Sequence, residues 1–260
     1  MHELNVAYAS GSGSLKIDRR RRPLRAPSEA AALRVLENVN LLSEDERSLI
    51  RRLSLFRDSI QAGRPFWRAG QPIGAKLVLS GWAARQRTLP DGRRQIFGFV
   101  IPGDVIGVVV TPSPLEEVST VALTRVEAVD ALMLREILAM QDERHSRLNA
   151  ALNHLRRQED ACLLDHIMRL GRQSALERTA HFLLEMHDRT WAAGLAEGDR
   201  FPLPLTQEVL ADALGLSIVH LNRTLQQMKR DGLIELRSSW ATLYDRPYLE
   251  KLADYGPHDD

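Results

Sequence analysis

Several side chains near the C-terminus have chemistry that suits contact with nucleic acid. Arg223 can donate two hydrogen bonds to a guanine edge, and Lys229 can pair with a phosphate. Ser217 and His220 lie three residues apart, which would also suit a nucleophile and its base. No acidic partner, oxyanion turn or G-x-S-x-G sequence accompanies them, so we reject the hypothesis of an enzyme.

The elements around these side chains have the pattern of a helix-turn-helix. Thr206 or Gln207 opens a first short helix, and a second helix is expected from Ile218 to Asp231. Gly215 lies between them, where a tight turn requires positive φ. Leu221 is expected to pack back onto the first helix.

A wing is predicted directly after the second helix. Residues 233–236 (LIEL) and 240–244 (WATLY) indicate a two-stranded hairpin. The net charge of residues 199–236 is −1, from four cations and five carboxylates. Three of the cations nevertheless lie on the second helix, where phosphates and base edges would be met. The module is therefore interpreted as a winged helix-turn-helix.

The N-terminal half has the residue pattern of a small β domain. Ser43 and Glu46 form an S-x-x-E capping box that begins a helix. Apolar–polar alternations then predict strands at 66–69, 76–79, 82–89 and 94–100. Residues 89–93 (LPDGR) have turn chemistry and join two antiparallel strands. Recurrent glycines favour a barrel or jelly roll.

A long helix is predicted between the two parts of the chain. Its apolar side chains form one stripe, which needs either the β domain or the same helix of a second subunit as a partner. The length of the helix favours a pair. Gly171 is expected to interrupt it, and a second capping box at Ser174 and Glu177 begins the next helix. The stripe consists of Leu148, Leu152, Leu155, Leu163, Ile167 and Leu170.

Composition excludes several other classes of protein. The formal net charge is +1, from 35 Lys and Arg against 34 Asp and Glu, which excludes a supercharged or disordered chain. Residues 1–27 carry a local charge of +4 and are interpreted as a flexible basic arm, either solvated or in contact with phosphate. We see no membrane span or signal peptide and expect a cytoplasmic protein. A single cysteine, Cys162, excludes a cysteine-based metal site.

These parts, in this order, resemble the Crp/Fnr family of bacterial transcription regulators. The resemblance rests on residues 80–82 (SGW), 89–96 (LPDGRRQI) and 101–107 (IPGDVIG), and on the helix-turn-helix at 206–234. It covers nearly all of the chain from about Ser43 to Leu252. It implies an α+β fold with a jelly-roll-like β-roll of the cyclic-nucleotide-binding type, a dimerisation helix and a C-terminal winged helix-turn-helix.

The resemblance implies a homodimer that binds a palindromic operator and contacts RNA polymerase. The expected parts are the arm (1–27), a sensor-like β-roll (28–145), the dimerisation helix (146–171) and the DNA-binding domain (172–260). The alternative is an adaptor that works through protein partners. No cofactor is expected. The N-terminal cysteine cluster of iron–sulfur members is missing, and the histidines that a haem-binding member would use as ligands are interpreted here as surface or helix residues.

The effector pocket of the family is expected to be degenerate here. Cyclic-nucleotide responders place a glutamate and an arginine at the positions of Val108 and Val118, and a buried phosphate needs such a cation. Ser119 and Thr120 remain, which is not enough. Leu163 and Leu164 replace a polar pair on the long helix. We therefore predict no response to cyclic nucleotides, and either no ligand or an apolar molecule or a protein as effector.

The family's docking mode identifies the residues that would read the operator. Many relatives place an arginine and a glutamate where this chain has Ile218 and Val219, and apolar side chains suit thymine methyl groups instead. These two residues could alternatively pack on the first helix. Lys229 is expected to contact a phosphate, and His220 and Asn222 a base or a phosphate. The predicted DNA-binding residues are Thr206, Gln207, Ser217, Ile218, Val219, His220, Asn222, Arg223 and Lys229.

Overall fold

The fold places a β domain before a long helix and a C-terminal helix-turn-helix. The computed structural model describes residues 29–67, 74–108, 118–141 and 143–256. The basic arm predicted at residues 1–27 lies outside these ranges. The mixture of helix and sheet confirms the α+β fold class. In the described parts of the chain, no helix is both long enough and apolar enough to cross a membrane.

Two short helices precede the β domain, α1 (Ala30–Glu37) and α2 (Glu44–Leu53). The predicted capping box at the start of α2 is confirmed. The backbone N–H of Glu46 donates to Ser43 Oγ at 3.3 Å, and the N–H of Ser43 donates to Glu46 Oε2 at 2.8 Å. The other carboxylate oxygen of Glu46 accepts the backbone N–H of Leu148, so the cap also ties α2 to the long helix.

The β domain contains two sheets. Their strands are β1 (Arg57–Ile60), β2 (Lys76–Ser80), β3 (Ala83–Thr88), β4 (Arg94–Val100), β5 (Val105–Ile106), β6 (Ser119–Ala122) and β7 (Val126–Asp130). The first sheet has the strand order β1-β7-β2-β5 and the second the order β4-β3-β6, with antiparallel pairs throughout. Apolar side chains from both sheets, including Val78, Val100 and Val126, are buried together between them.

The hairpin between β3 and β4 forms where the sequence predicts it. The backbone N–H of Leu89 donates to the carbonyl of Arg93 at 2.8 Å, and Gly92 adopts φ +86°. The strand predicted at residues 66–69 is wrong for Phe66 and Trp67, which make a bend after a single bridge at Pro65. The remaining two residues of that prediction lie outside the described ranges.

Helix α3 (Leu132–Met140) and a 3₁₀ turn (Glu143–His145) lead into the long helix α4 (Ser146–Arg172). The expected interruption at Gly171 is wrong, because the glycine is helical and the chain becomes extended only at Gln173. The second capping box is confirmed, since Glu177 N–H donates to Ser174 Oγ at 3.4 Å.

The apolar stripe of α4 is divided between two environments. Leu148 and Leu152 are buried in the core of the β domain together with α1 and α3. Ile167 is 57% exposed, as are the neighbouring Leu164 at 64% and Met168 at 58%. The expectation that one partner covers the whole stripe is therefore wrong. Leu155 also packs within the subunit, and Leu163 and Leu170 are half-buried, so the outward-facing patch consists of Ile167 with Leu164 and Met168.

The C-terminal part contains a sheet of three strands, one more than predicted. The elements of this part are α5 (Ala175–Ala192), β8 (Arg200–Pro202), α6 (Gln207–Leu214), α7 (Ile218–Arg230), β9 (Ile234–Arg237), β10 (Trp240–Leu243) and α8 (Arg246–Ala253). β8 pairs with β10, which pairs with β9. The helices share one buried cluster with Trp82, Ile96 and Phe99 of the β domain, so a continuous core joins the two parts.

Candidate DNA-binding surface

Two hydroxyl groups fix the start of the helices in the helix-turn-helix. The N–H of Val209 donates to Thr206 Oγ1 at 3.2 Å, and the N–H of His220 donates to Ser217 Oγ at 3.2 Å. Between the helices, Gly215 adopts φ +63°, which a residue with a Cβ rarely takes. The predicted turn is confirmed. Ser217 has a structural role as the cap of α7.

The inner face of α7 is mainly apolar and holds the two helices together. Burying each leucine contributes roughly 1.5–3 kcal/mol, so this face fixes which side of α7 remains outside. Thr224 is also buried, and its hydroxyl donates to the carbonyl of His220 at 3.1 Å. The buried side chains of α6 and α7 include Leu210, Ala211, Leu214, Leu221, Leu225 and Met228.

The opposite face of α7 carries the side chains predicted to read DNA. Ile218 is 45% exposed and Val219 is 61% exposed, so neither is packed away against α6 as the alternative interpretation requires. Asn222 is half-buried, and the other predicted residues of α7 are exposed. Thr206 and Gln207 are also exposed, at the start of α6.

The cations of this surface are available to an anionic partner. Within the described ranges, Arg223 and Lys229 form no ion pair with a carboxylate. The first turn of α7 contains no acidic residue, so the positive end of the helix dipole is uncompensated. Glu235 contributes to the negative net charge of the module, and its Oε2 accepts a hydrogen bond from the hydroxyl of Tyr244 at 2.9 Å.

The wing supplies polar groups that the sequence alone did not single out. Ser238 and Ser239 form its two-residue turn with φ of +52° and +64°, values that match a type I′ hairpin. With Arg237 they line a polar groove that also contains Asn222 and Lys229. The short segment between two predicted strands was the signal that could have identified them. The groove has a volume of about 390 Å³.

The residues predicted to form a degenerate effector pocket are dispersed over both sheets. Val108 follows β5 and is buried in the apolar core of the first sheet. Ser119 and Thr120 lie on β6 of the second sheet, exposed and buried respectively, and Val118 is half-buried just before them. Both positions carry valine, so neither side chain supplies a charge for a bound phosphate.

The thiol of Cys162 is poorly suited to redox or metal chemistry. Burial, with a further contribution from Glu185, raises its pKa to about 12, so it is protonated at neutral pH. Among the described residues, no cluster of three or more His, Cys, Asp or Glu side chains could hold a metal ion.

Comparison with known proteins supports this surface as a DNA-binding module. The profile of the Crp-like helix-turn-helix domain matches residues 177–252. The chain is 35% identical over 177 residues to the nitrogen fixation regulation protein FixK of Bradyrhizobium diazoefficiens, covering 68% of this chain and 72% of the relative. It is 30% identical over 199 residues to the transcriptional activator protein FnrL of Cereibacter sphaeroides, covering 74% and 77%.

A solved structure has the same arrangement of parts. FixK2 from Bradyrhizobium japonicum is similar with a TM-score of 0.64 and 29% identity, covering 76% of this chain and 96% of the other. The β-roll, long helix and winged helix-turn-helix therefore define a DNA-binding transcription regulator rather than an enzyme. The chain belongs to the Crp/Fnr family, as the sequence resemblance predicted.

Proposed function

We propose that the protein acts as a homodimer on a palindromic operator and does not respond to cyclic nucleotides. The observation that carries this proposal is the outer face of α7, where exposed apolar residues precede Arg223, which is exposed and has no carboxylate partner among the described residues. A helix of this kind fits the major groove with its N-terminal residues over base edges. Ile218 and Val219 would contact thymine methyl groups, and Arg223 would pair with guanine.

An exposed apolar patch on the second half of α4 supports a dimer. Leu164, Ile167 and Met168 follow one another at helical spacing and form an apolar patch with no partner in the described part of the subunit. Residues 146–171 would thus serve as the dimerisation helix. Pairing two copies there places two α7 helices about a twofold axis, which matches half-sites about one DNA turn apart.

The role of the other parts follows from this assembly. Residues 28–145 form the sensor-like domain and residues 172–260 the DNA-binding domain, with Thr206, Gln207, Lys229 and the wing on phosphates. Relatives named as transcriptional activators support a contact with RNA polymerase. Action on chromosomal DNA supports a cytoplasmic location.

The proposal is tested by selecting bound duplexes from a random pool with the full chain. We expect a palindrome with thymine-rich positions and one guanine per half-site. Enrichment of a single unrepeated half-site would contradict the dimer. Failure to enrich any sequence, together with salt-independent binding, would favour the adaptor that works through protein partners.

Insensitivity to cyclic nucleotides has its own test. Because Val108 and Val118 supply neither a hydrogen-bond acceptor nor a cation, calorimetry with cyclic AMP and cyclic GMP at millimolar concentration should give no saturable heat. Saturable binding at micromolar concentration would show that other groups hold the phosphate.

A further inference from the structure

The first turn of α7 exposes two adjacent apolar side chains. Ile218 is 45% exposed and Val219 is 61% exposed, and neither belongs to the buried cluster that joins α6 to α7. Both are β-branched, and in a helix the χ1 angle of such a side chain has one strongly preferred value. The two side chains therefore form a rigid apolar surface that loses little conformational entropy when a partner covers it.

The hydroxyl groups beside this pair are occupied within the helix. The oxygen of Ser217 accepts the backbone N–H of His220 at 3.2 Å, and the buried hydroxyl of Thr224 donates to the carbonyl of the same histidine at 3.1 Å. A carboxylate would accept a hydrogen bond from the N4 amino group of cytosine, but the first turn of α7 contains no acidic residue. The turn therefore offers DNA an apolar contact, with the imidazole of His220 as the competing polar group.

The C5-methyl group is the feature of a base that an apolar surface can recognise. In the major groove, thymine presents this methyl group beside the O4 acceptor, whereas cytosine presents an N4 amino donor and no methyl group. 5-Methylcytosine keeps the amino donor and carries its methyl group at the same ring position as thymine. An apolar side chain forms no hydrogen bond and cannot distinguish O4 from N4. It therefore contacts the methyl groups of thymine and 5-methylcytosine alike.

Arg223 adds a guanine contact next to this methyl contact. It lies four residues after Val219, so the two side chains are neighbours on one face of α7, with Cβ atoms roughly 5–6 Å apart. Successive bases of one DNA strand are about 3.4 Å apart along the helix axis. The methyl group and the guanine are therefore read within one or two base pairs of each other, and a 5-methylcytosine beside a guanine presents both features.

We propose that α7 recognises the C5-methyl group itself, so that the protein binds operators with 5-methylcytosine at the thymine positions that Ile218 and Val219 contact. The same operators with unmethylated cytosine bind more weakly, because the apolar pair then faces an amino group that it cannot satisfy. Methylation of cytosine in the operator would thus raise its occupancy. Recognition of the methyl group rests on the proposed function, because it requires α7 in the major groove.

The first test replaces thymine by uracil, which lacks only the methyl group. The operator obtained by selection is substituted one thymine at a time, and its binding to the full chain is measured by fluorescence anisotropy. We expect one or two positions in each half-site at which uracil weakens binding about 3- to 5-fold, the loss expected for one buried methyl group. The other thymines of the duplex should be insensitive and serve as controls. Equal binding of uracil and thymine at every position would overturn the inference.

The second test places 5-methylcytosine, paired with guanine, at the positions that are sensitive to uracil. We expect it to bind about 3- to 5-fold more tightly than unmethylated cytosine at the same positions. If 5-methylcytosine bound no better than cytosine, the O4 acceptor of thymine rather than its methyl group would be the recognised feature. The reader would then be a hydrogen-bond donor such as the imidazole of His220, and the inference would be wrong.

Two substitutions separate direct contact from an effect of the methyl group on DNA shape. Val219→Ser and Ile218→Ser remove the apolar groups at exposed positions, so helix content should not change. Each should bring the ratio of thymine to uracil affinity close to one at the position that its side chain contacts. Lys229→Ala, on the same helix, is the control and should lower all affinities while leaving this ratio unchanged. A ratio that survives in both serine variants would assign the effect to DNA shape and refute the contact.

The selection experiment separates this inference from the proposed function. A selection that enriches no duplex would overturn both. An enriched palindrome that contains no thymine, or one whose thymines can all be replaced by uracil without loss of affinity, would overturn methyl recognition alone.

Discussion

Two cations of α7 are expected to contact different parts of the DNA, one a base edge and the other a phosphate. Arg223 follows the exposed N-terminal turn that would face base edges, and Lys229 is in the last turn, near the wing. Arg223→Ala should cost about 1–3 kcal/mol at one base pair per half-site and relax specificity there. Lys229→Ala should weaken all duplexes alike and reduce the salt slope by about one.

The measurement is fluorescence anisotropy with the operator, its single-base variants and random duplex, each at several salt concentrations. Arg52→Ala, at an exposed position of α2, provides a matched loss of charge outside α7 and should leave binding unchanged. Equal loss of affinity for operator and random duplex in the Arg223 variant would assign this arginine to a phosphate.

His166 makes stability depend on pH through its burial on α4. Desolvation, reinforced by Arg169, lowers its pKa from 6.5 to about 4. Between these values the unfolded chain binds a proton that the folded protein does not. The free energy of unfolding should therefore fall by about 2–3 kcal/mol as the pH drops from 6.5 to 4, with no further loss from this group below that.

Urea unfolding at several pH values checks this. His166→Gln should flatten the dependence, and His154→Gln, at a half-buried position of the same helix, should not. A residual slope is expected because burial also lowers the pKa of His181. An unchanged slope in the His166 variant would show that its folded and unfolded pKa values are equal.

At the scale of single residues, the sequence was most informative where a local rule applies. Gly215 and the caps at Ser43 and Ser174 follow from backbone geometry within four residues, and the structure confirms them. The polar groups of the wing did not follow. Arg237 and Ser238 acquire their significance from a groove formed with α7, and a groove requires tertiary packing.

Helices and strands were predictable from the sequence where the element is long enough to show a residue pattern of its own. The strand at Arg94–Val100 was predicted with its observed bounds, because a segment rich in Ile, Phe and Val follows a strong turn. β8 was missed, since three residues that end in a proline give no period. The stripe of α4 was recognised, but periodicity cannot tell which half faces a neighbour in the same subunit.

The divided stripe determines how the dimer should be tested. Leu164→Glu with Ile167→Glu should give monomers with unchanged helix content, because both side chains are already exposed in the subunit. Each buried apolar side chain contributes roughly 1.5–3 kcal/mol, so dimerisation should weaken by at least ~1000-fold. Sedimentation at micromolar concentration measures the change.

Met140→Glu, which alters another exposed apolar side chain outside α4, serves as the control and should remain dimeric. Leu152→Glu would be a misleading test, since this leucine is 1% exposed in the core of the β domain and its loss would unfold the subunit. Sedimentation of the unmodified protein as a monomer at micromolar concentration would refute the pairing of α4.

At the scale of the whole molecule, the order of the parts was predictable and their mutual placement was not. The helix-turn-helix is held against the β domain by a contact between β4 and α6. Arg94 Nε donates to Asp212 Oδ2 at 2.8 Å, and Gln95 Nε2 donates to the carbonyl of Asp212 at 2.9 Å. These residues are more than a hundred positions apart, and no local pattern in either segment predicts that they meet.

The contact between Arg94 and Asp212 should be measurable as a coupling free energy. Both side chains are 25% exposed, and two N–H groups of the arginine meet one carboxylate oxygen, so we expect about 0.5–1 kcal/mol. A double-mutant cycle with Arg94→Gln and Asp212→Asn, followed by urea unfolding, gives the value.

The pair Arg93 and Asp91 on the same hairpin is the control, because its side chains are 78% and 51% exposed and solvent screens them. Additive effects of the two substitutions would show that the apolar core between Phe99 and Phe182, rather than this ion pair, fixes the position of the helix-turn-helix.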